Sequence, residues 1–404
     1  MTHKASLSNF NLSILWFGAA VSLAEILTGA LLAPLGLGKA LLAIIIGHLI
    51  GGGILWLAGA IGAHENLAAI ESSKLSFGKY GLPLFAILNV VQLIGWTAVM
   101  ISSGANALGG VLTAMPTLTF ITSNGSTLQI LLCLFIAILI AIWIGIGFDR
   151  LKKLNLIAVT GLFLVSIYLG FKAFSGGVTP MLSEETLSFG LALELSIIMP
   201  LSWLPLISDY TQYASSKKSG PIASAFGYTV GSIFMYAIGL GAALYAGTSD
   251  IGELLTAAGL PVLALLVISL STVTTTFLDV YSGAISFITL KKANEKTVAL
   301  IICGIGALLA IMIPTTYYES FLYLIGSAFA PMFAILLTDY FLLKRRGGSN
   351  LYSIQNLILW ALGAGLYQYF LKLDTPIGNS LPIMLILMAI KLIISPIQNK
   401  KSIK

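Results

Sequence analysis

Charged residues are scarce in this sequence: they make up 9% of 404 residues, against about 25% in an average soluble globular domain. Hydrophobic residues account for 58%, and the mean hydropathy is +0.99. This composition excludes a soluble globular protein and predicts an all-α polytopic membrane protein. Because the loops between the apolar runs are short, we expect no attached soluble domain.

Cysteine and histidine are also rare. Cys133 and Cys303 lie in apolar segments, and the histidines His3, His48 and His64 are scattered along the chain. Neither a disulfide framework nor a metal site with recognisable ligand spacing is indicated. A membrane-embedded enzyme would need clustered groups of this kind, so we expect no catalytic residues and no cofactor beyond a coupling ion.

Long apolar runs are abundant. A transmembrane helix needs about 20 mostly apolar residues, and by that rule the sequence predicts about twelve spans. They lie at roughly 12–36, 40–63, 82–109, 128–147, 152–173, 187–210, 221–247, 260–288, 297–314, 317–342, 354–371 and 380–397.

The distribution of basic residues supports this number of spans. If the spans alternate from a cytoplasmic N-terminus, 18 of the 21 Lys and Arg residues fall on or towards the inside, and only Lys39, Lys172 and Lys372 fall outside. Positive charge gathers on the cytoplasmic side of membrane proteins. The sequence therefore predicts a cell-membrane protein with both termini in the cytoplasm, and its net charge of +6 does not indicate nucleic-acid binding.

The sixth span contains an unusual segment, MPLSWLPLISD at 199–209. Proline removes a backbone donor and clashes with the preceding turn, so Pro200 and Pro205 predict a break. Ser202 and Trp203 lie between them. A broken helix at membrane depth is typical of a transporter's substrate site.

The first span has its own irregularity, a run of small residues that begins at Gly18. Span 6 follows span 1 by five positions, so the two irregular helices predict an inverted five-helix repeat. The expected organisation is a cytoplasmic N-terminus (1–11), a ten-helix transport core (12–342) with repeats at about 12–173 and 187–342, two accessory helices (354–397) and a cytoplasmic tail (398–404).

Five carboxylates fall in or near predicted spans. Charges within a membrane are costly and are functional by default. Glu25 and Asp279 are the candidates for the transport site, with a structural role left open for each. For Glu194, Asp209 and Asp339, structural roles are the simpler expectation.

The third span presents Gln92 and Trp96 on one helix face, four residues apart. An indole can stack on a flat heteroaromatic ring, and a carboxamide can both donate to and accept from its edge. Trp203 could supply the opposite face of a sandwich. These side chains favour a planar, neutral, polar ring such as a pyrimidine over a sugar or fatty acid.

The eighth span is rich in hydroxyls, with Ser271, Thr272 and Thr274–Thr276 in six residues. In an inverted-repeat transporter, unwound carbonyls of helix 1 and hydroxyls of helix 8 can hold a small cation. Hard cations prefer oxygen ligands, as Ca²⁺ and Mg²⁺ do. A proton could use Glu25 or Asp279 instead, so these residues leave the ion open between Na⁺ and H⁺.

At this point the chain resembles the nucleobase:cation symporter family, which includes cytosine permeases and hydantoin and allantoin transporters. The resemblance covers essentially the whole chain and is closest to the short bacterial branch assigned to hydroxymethylpyrimidine transport. It rests on the order and spacing of GAAVSLAEILTGALL, QLIGW, SDYTQYA, TTTFLDVYS and LIGSAFAPMFAILLTDYFLLKRR.

The resemblance implies a five-plus-five inverted-repeat (LeuT-like) core with two C-terminal helices, working by alternating access. By family analogy, the base stacks on Trp96 with Gln92 nearby and contacts the broken sixth helix from Pro200 to Trp203. Many family members hold Na⁺ with first-helix carbonyls and eighth-helix hydroxyls, which here fall at about Gly18, Val21, Thr275 and Thr276.

The chain departs from the family pattern where substrate edges are read. Ser22 stands where an aromatic residue is frequent, Glu25 replaces a small or polar residue, and Asp279 follows a stretch that often contains asparagines. These departures put cytosine itself in doubt. A carboxylate facing an aminopyrimidine could accept hydrogen bonds from its exocyclic amine and from a protonated ring nitrogen.

The sequence therefore predicts a cation-coupled secondary transporter, with Na⁺ expected, that imports a pyrimidine-type base such as hydroxymethylpyrimidine or cytosine. A proton-coupled purine, hydantoin or allantoin permease is the alternative, and a passive channel would not need two broken helices. The expected partners are a small heteroaromatic substrate and the lipid bilayer, without nucleic acid or an obligate protein partner. The predicted substrate residues are Ser22, Glu25, Gln92, Trp96, Pro200, Ser202, Trp203 and Asp279, and the predicted Na⁺ ligands are Gly18, Val21, Thr275 and Thr276.

Overall fold

The computed structural model describes residues 6–113, 125–147, 157, 159–168, 170–171, 187–246, 261–313, 317–345, 353–373 and 375–399. Helices account for most of these residues. They are α1 (Asn9–Ala20), α2 (Leu23–Leu31), α3 (Leu37–Glu65), α4 (Lys74–Phe77), α5 (Leu82–Thr113), α6 (Gly125–Ile146), α7 (Val159–Tyr168), α8 (Phe189–Ser202), α9 (Leu204–Thr211), α10 (Ser219–Ala246), α11 (Pro261–Leu290), α12 (Glu295–Met312), α13 (Tyr318–Leu337), α14 (Ile354–Phe370) and α15 (Ser380–Asn399). A π-helical turn, Thr338–Leu342, continues α13.

Many of these helices have the length and composition of membrane spans. In the described ranges, eight helices are long and apolar enough to cross a bilayer, and the bent pair of α1 and α2 makes a ninth candidate. Each of the twelve predicted spans coincides at least in part with a helix or helix pair, although α7, α14 and the apolar part of α15 are shorter than a full span. A multi-pass membrane protein is confirmed, while the number twelve stays a prediction.

The first predicted span is bent by 55° between α1 and α2. Ser22 has an extended backbone and caps α2, because its hydroxyl accepts a hydrogen bond from the Glu25 amide at 3.4 Å. The Ser22 amide donates to the Ala20 carbonyl at 2.9 Å and so does not make the helical bond to Gly18. The irregularity that the small residues indicate is therefore a sharp bend at Val21 and Ser22.

The sixth predicted span is interrupted much less than its two prolines suggest. Only Trp203 separates α8 from α9, with backbone angles of −91° and −5°, and residues 189–211 run on as one span without a bend of more than 40°. Pro205 lies in the first turn of α9, where its missing N–H would lack a helical acceptor anyway. The interruption that the prolines predict is present at Trp203, and it is confined to a single turn.

Two amide side chains of α5 support this interruption. Gln92 donates to the Ser202 carbonyl at 3.0 Å, and Asn89 contacts the Pro205 carbonyl at 3.4 Å. Both side chains are buried. Backbone acceptors that a discontinuous helix frees inside a membrane must find donors in the protein, so these amides stabilise the interrupted segment.

Helix contacts divide much of the fold into two groups. The first helix group is α1, α2, α3, α8, α9 and α10, and the second helix group is α5, α6, α11 and α12. Contacts are dense within each group, whereas α2 touches α5 and α11 only sparsely. Helices α13, α14 and α15 pack on one another, and α13 also packs on α8.

Glycines allow the helices of the first group to approach closely, as small residues do in membrane proteins. A β-carbon at Gly29 of α2 would lie 2.2 Å from the Tyr236 carbonyl oxygen, and one at Gly239 of α10 would lie 2.0 Å from that of Ile26. The two backbones therefore interlock. On the other side of the group, Gly47 of α3 leaves room for Ser196 of α8 in the same way.

We expect Gly239→Ala to lower the free energy of unfolding by about 1–3 kcal/mol, the usual cost of overpacking. Thermal unfolding of the purified protein measures this loss. Gly53→Ala is the matched control, because nothing lies within 4 Å of a β-carbon at Gly53 and alanine favours the helix. Equal losses in both variants would contradict the close-packing explanation.

Three of the buried carboxylates contact polar groups of other segments. Glu194 of α8 accepts hydrogen bonds from the Asn379 amide at 2.6 Å and from the Ser380 amide at 2.8 Å, at the start of α15. Asp339 lies 3.1 Å from the Lys391 ammonium. Asp209 accepts from the Ala69 amide at 2.9 Å. These contacts are structural roles.

Candidate substrate and cation site

A cavity lies between the two helix groups. Its volume is about 20 Å³. That is close to the room of a single water, so a flat base can enter only when the walls move apart. The lining residues are Ser22, Ala24, Glu25, Leu93, Trp96, Met100, Met199, Ser202, Trp203, Leu206, Thr275 and Asp279.

Both helix groups contribute polar side chains to this wall. Seven of the twelve predicted site residues line it: Ser22, Glu25, Trp96, Ser202, Trp203, Thr275 and Asp279. The other five, Gly18, Val21, Gln92, Pro200 and Thr276, lie outside the lining. Residues from spans 1, 3, 6 and 8 thus meet at one place.

Gln92 does not line the cavity. Its amide nitrogen donates instead to the Ser202 carbonyl. Its buried carbonyl oxygen has no hydrogen-bond partner among the described residues. Pro200 faces α3, where a β-carbon at Gly51 would lie 2.8 Å from the proline ring. Gln92 therefore supports the interrupted helix, and Pro200 packs against α3.

Asp279 is the polar group of the cavity wall that is most available to a ligand. Its side chain is 4% exposed, and within the part of the chain that the structure describes no group donates a hydrogen bond to its carboxylate. Thr275 lies one turn earlier on α11 and lines the same wall. A buried carboxylate needs a donor or a cation, so Asp279 is the acceptor that a ligand can satisfy.

Glu25 differs from Asp279 because its carboxylate already has partners. Tyr228 of α10 donates to one oxygen at 2.6 Å, and Ser232 contacts the other at 2.6 Å. The side chain is 1% exposed. Glu25 therefore joins the cavity wall to α10, and a ligand would compete with these two hydroxyls for its oxygens.

The two indoles are held by aromatic neighbours of their own. Trp96 makes edge contacts with Tyr318 and Phe321, with ring centroids 6.0 and 5.6 Å apart. Trp203 packs edge-on against Trp16 at 5.5 Å. Both indoles line the cavity, one from each helix group.

A cation site of oxygen ligands would have to draw on the bend and on α11. Ser22 does not make the helical bond to Gly18, and the Thr275 hydroxyl lies at the cavity. The Thr276 hydroxyl donates to the Thr272 carbonyl at 2.6 Å, so only its lone pairs are left for a cation. Carbonyl and hydroxyl oxygens of this kind suit a hard cation such as Na⁺. The described residues contain no group of three His, Cys, Asp or Glu that could hold a metal ion.

Several site residues escape prediction from the sequence. Tyr228 and Ser232 are four apart on α10 and share a face, but nothing in the sequence pairs that face with Glu25, some 200 positions earlier. His48 contacts Ser232 and is fully buried. The apolar part of the lining, such as Met100, looks like ordinary span sequence.

The chain matches a known protein family over most of its length. Residues 2–356 match the family described as permease for cytosine/purines, uracil, thiamine, allantoin. This range includes every residue of the cavity wall.

The chain is similar to curated permeases along most of its length. It is 24% identical to the cytosine permease of Escherichia coli (strain K12) over 310 residues, which is 76% of this chain and 71% of the relative. It is 26% identical to the purine-cytosine permease fcyB of Emericella nidulans over 389 residues, covering 86% of this chain and 72% of the relative. These relatives are permeases, in agreement with the expectation that the chain is not an enzyme.

Solved structures share the fold. The inward-facing conformation of Mhp1 aligns with a TM-score of 0.79 at 17% identity, covering 98% of this chain and 92% of Mhp1. Mhp1 in a closed conformation with bromovinylhydantoin bound, a nucleobase-cation-symport-1 family transporter, aligns at 0.73 and 18% identity over 97% of this chain and 94% of Mhp1. A Na⁺-coupled sialic acid symporter aligns at 0.67 and 13% identity over 97% and 90%. The predicted fold class is confirmed.

Proposed function

The chain belongs to the family of permeases for cytosine/purines, uracil, thiamine and allantoin, and from this premise we propose that it imports a pyrimidine-type base together with a cation. The observation that supports the proposal most directly is Asp279. This buried carboxylate lines the same cavity as Trp96. An indole face and a hydrogen-bond acceptor are what a flat ring carrying an amine needs.

The acceptor chemistry of the wall favours a ring with an exocyclic amine, such as an aminopyrimidine, over rings of the family that lack one. A carboxylate accepts from an exocyclic amine and from a protonated ring nitrogen at the same time. Hydroxymethylpyrimidine and cytosine both carry such an amine beside a ring nitrogen. A hydantoin, such as the one bound to Mhp1, has ring N–H groups but no exocyclic amine. Purine, hydantoin or allantoin remains the alternative substrate class.

The remaining wall completes a slot for a flat ring. Trp96 from the second helix group stacks on one face in this proposal, and Trp203 from the first contacts the other. Ser202 and Ser22 offer hydroxyls at the edge, while Pro200 and Gln92 shape the interrupted helix behind them. Because the cavity has room for about one water, binding requires an open state, as alternating access supplies.

Na⁺ is the coupling ion that we propose. The candidate ligands are the carbonyls of Gly18 and Val21 at the bend and the hydroxyls of Thr275 and Thr276 on α11. Oxygen ligands from a bent helix 1 and from helix 8 are a recurring cation site in inverted-repeat transporters. The fit to the donor set supports Na⁺ over a softer metal ion.

We also propose the topology and domain boundaries that the sequence predicts. Both termini lie in the cytoplasm and the protein resides in the cell membrane, since 18 of 21 basic residues then face inward. The transport core covers about 12–342, and the two accessory helices cover 354–397.

A thermal-shift screen tests this function. Purified protein is heated with pyrimidines, purines, hydantoins and thiamin precursors, each with and without Na⁺. We expect an aminopyrimidine to raise the unfolding midpoint, and more strongly with Na⁺, because ligands that bind the folded state stabilise it. Stabilisation by a purine or hydantoin alone would contradict the pyrimidine assignment.

Paired threonine variants test the cation ligands. Thr275→Ala removes a hydroxyl at the cavity, and we expect it to abolish the Na⁺ dependence of the shift. Thr274→Ala is the matched control, because the Thr274 hydroxyl donates to the Ser271 carbonyl at 3.0 Å. Retention of the full Na⁺ effect in Thr275→Ala would rule out this ligand.

A further inference from the structure

A buried polar chain leads from the cavity wall into α3. Glu25 lines the cavity, and its second carboxylate oxygen lies 2.6 Å from the Ser232 hydroxyl oxygen. That hydroxyl lies 2.6 Å from Nε2 of His48, and Nδ1 of His48 lies 2.8 Å from the Ile44 carbonyl oxygen. The side chains of Glu25, Ser232 and His48 are at most 1% exposed.

The hydrogen atoms of this chain can be assigned by elimination. A carbonyl oxygen only accepts, so Nδ1 of His48 must carry a hydrogen. Nε2 can then be an acceptor, in a neutral imidazole, or a donor, in an imidazolium. The single hydrogen of Ser232 must point either towards His48 or towards Glu25.

Two arrangements satisfy every contact. In the first, Glu25 is protonated and donates to Ser232, which donates to a neutral His48. In the second, His48 is an imidazolium that donates to Ser232, which donates to an ionised Glu25. An ionised Glu25 with a neutral His48 would leave two acceptors for one hydroxyl hydrogen. Protonation of both would leave that hydrogen without an acceptor in the chain, and buried unmatched groups are costly.

We propose that Glu25, Ser232 and His48 form a binding site for a single proton, one end of which lies in the wall of the transport cavity. The proton moves between the ends without displacement of heavy atoms. The Glu25 O–H bond breaks as its proton forms a new O–H bond with the Ser232 oxygen, and the original Ser232 O–H bond breaks as its hydrogen forms an N–H bond with Nε2. No electrons are gained or lost, and the net charge of the site is unchanged.

This movement changes the charge that a ligand meets. With the proton on Glu25 the wall is neutral there, and with the proton on His48 the wall carries a negative charge. The site is separate from the cation ligands proposed on α1 and α11. It does not depend on which base the protein transports, so its failure and the failure of the proposed function are distinguishable.

Other ionisable groups surround the site without interrupting it. Tyr228 donates to the first oxygen of Glu25 at 2.6 Å, Tyr236 lies edge-on to His48 with ring centroids 4.6 Å apart, and Tyr318 contacts Thr28 of α2 at 2.8 Å. Phenols stay protonated at neutral pH. Asp279 is the acid of α11 at the cavity, and its negative charge would favour a protonated Glu25. On α8, Glu194 is already bonded to the start of α15.

Spectroscopy of the full-length protein tests the proposal. A His3→Gln, His64→Gln background leaves His48 as the sole histidine, so ¹⁵N NMR reports its tautomer and charge. The infrared carbonyl band of a protonated carboxyl, assigned by its loss in Glu25→Gln, reports Glu25. At neutral pH we expect the shared proton on one of the two groups. Either Glu25 is protonated beside a neutral His48, or His48 is an imidazolium beside an ionised Glu25. A neutral His48 beside an ionised Glu25, or both groups protonated, would overturn the proposal.

Two variants separate a shared proton from an ordinary buried histidine. Glu25→Gln can donate to Ser232 and accept from Tyr228, so it should fix His48 as the neutral Nδ1–H tautomer across the pH range in which the protein is folded. An imidazolium that forms in Glu25→Gln at the same pH as in the parent would refute sharing. Ser232→Ala removes the link, and we expect Glu25 and His48 then to titrate independently of each other. If their protonation stayed reciprocal, the role assigned to Ser232 would be wrong.

Discussion

Asp279→Asn is expected to weaken binding of an aminopyrimidine by about 10- to 100-fold, since a hydrogen bond to a charged group contributes about 1.5–3 kcal/mol and about 1.4 kcal/mol is a factor of ten. Asparagine keeps the size of the side chain but loses the charge and one acceptor. Its NH₂ group would face the amine of the ligand. Equilibrium binding of a labelled base measures the loss.

Asp209→Asn is the control for this substitution. Asp209 is also a buried aspartate, but its carboxylate accepts from the Ala69 amide at 2.9 Å, away from the cavity lining. We expect its affinity to stay near that of the parent. Glu25→Gln should reduce binding less than Asp279→Asn, because Tyr228 and Ser232 already share the Glu25 carboxylate. If Asp279→Asn and Glu25→Gln both took up substrate as the parent does, the carboxylate hypothesis would fail.

Glu194→Ala is expected to produce the largest loss of stability, at least about 3 kcal/mol. The carboxylate accepts from two backbone amides, Asn379 and Ser380, from the Ser380 hydroxyl and from the Tyr367 hydroxyl. Each donor left without a partner in a buried place costs about 1–3 kcal/mol. The unfolding midpoint of the purified protein should therefore fall steeply.

Glu319→Ala is the matched control for Glu194. Glu319 accepts from the Tyr323 hydroxyl at 2.6 Å, a half-buried contact on the surface of α13, and its loss should cost about 1 kcal/mol or less. Glu194→Gln should fall between the two, because its new N–H group opposes the Asn379 and Ser380 amides. Similar midpoints for Glu194→Ala and the parent would mean that water replaces the carboxylate.

The helices that form from the apolar runs could be predicted from the sequence, because each run is long and apolar enough to indicate its own surroundings. The basic loops give a separate prediction of which side of the membrane each loop occupies. The degree of distortion in spans 1 and 6 could not be predicted in the same way. Two prolines looked more disruptive than a run of small residues, yet Pro205 falls in a first turn and α5 supplies donors, while Ser22 allows a 55° bend.

Prediction of the site from the sequence was limited in the same way. Residue types indicated that Trp96, Trp203 and Asp279 belong together, and all three line one cavity. Which carboxylate has spare acceptors depended on α10, whose Tyr228 and Ser232 occupy Glu25. Such pairings join distant parts of the chain and leave no local pattern. For the same reason the orientation of Gln92 towards Ser202 was not predictable.

The division into two helix groups has a mechanical consequence. Both arms of the bent first span pack on α10, through Gly227 and Gly239 among others, so the bend cannot work as a free joint. The two helix groups can move past each other most easily at the boundary between them, where contacts are sparse. The cavity lies at this boundary. A ring that contacts Trp96 and Asp279 of the second helix group and Trp203 of the first would connect the two groups. Bound substrate would then keep the two helix groups in one relative position, and its departure would allow them to move.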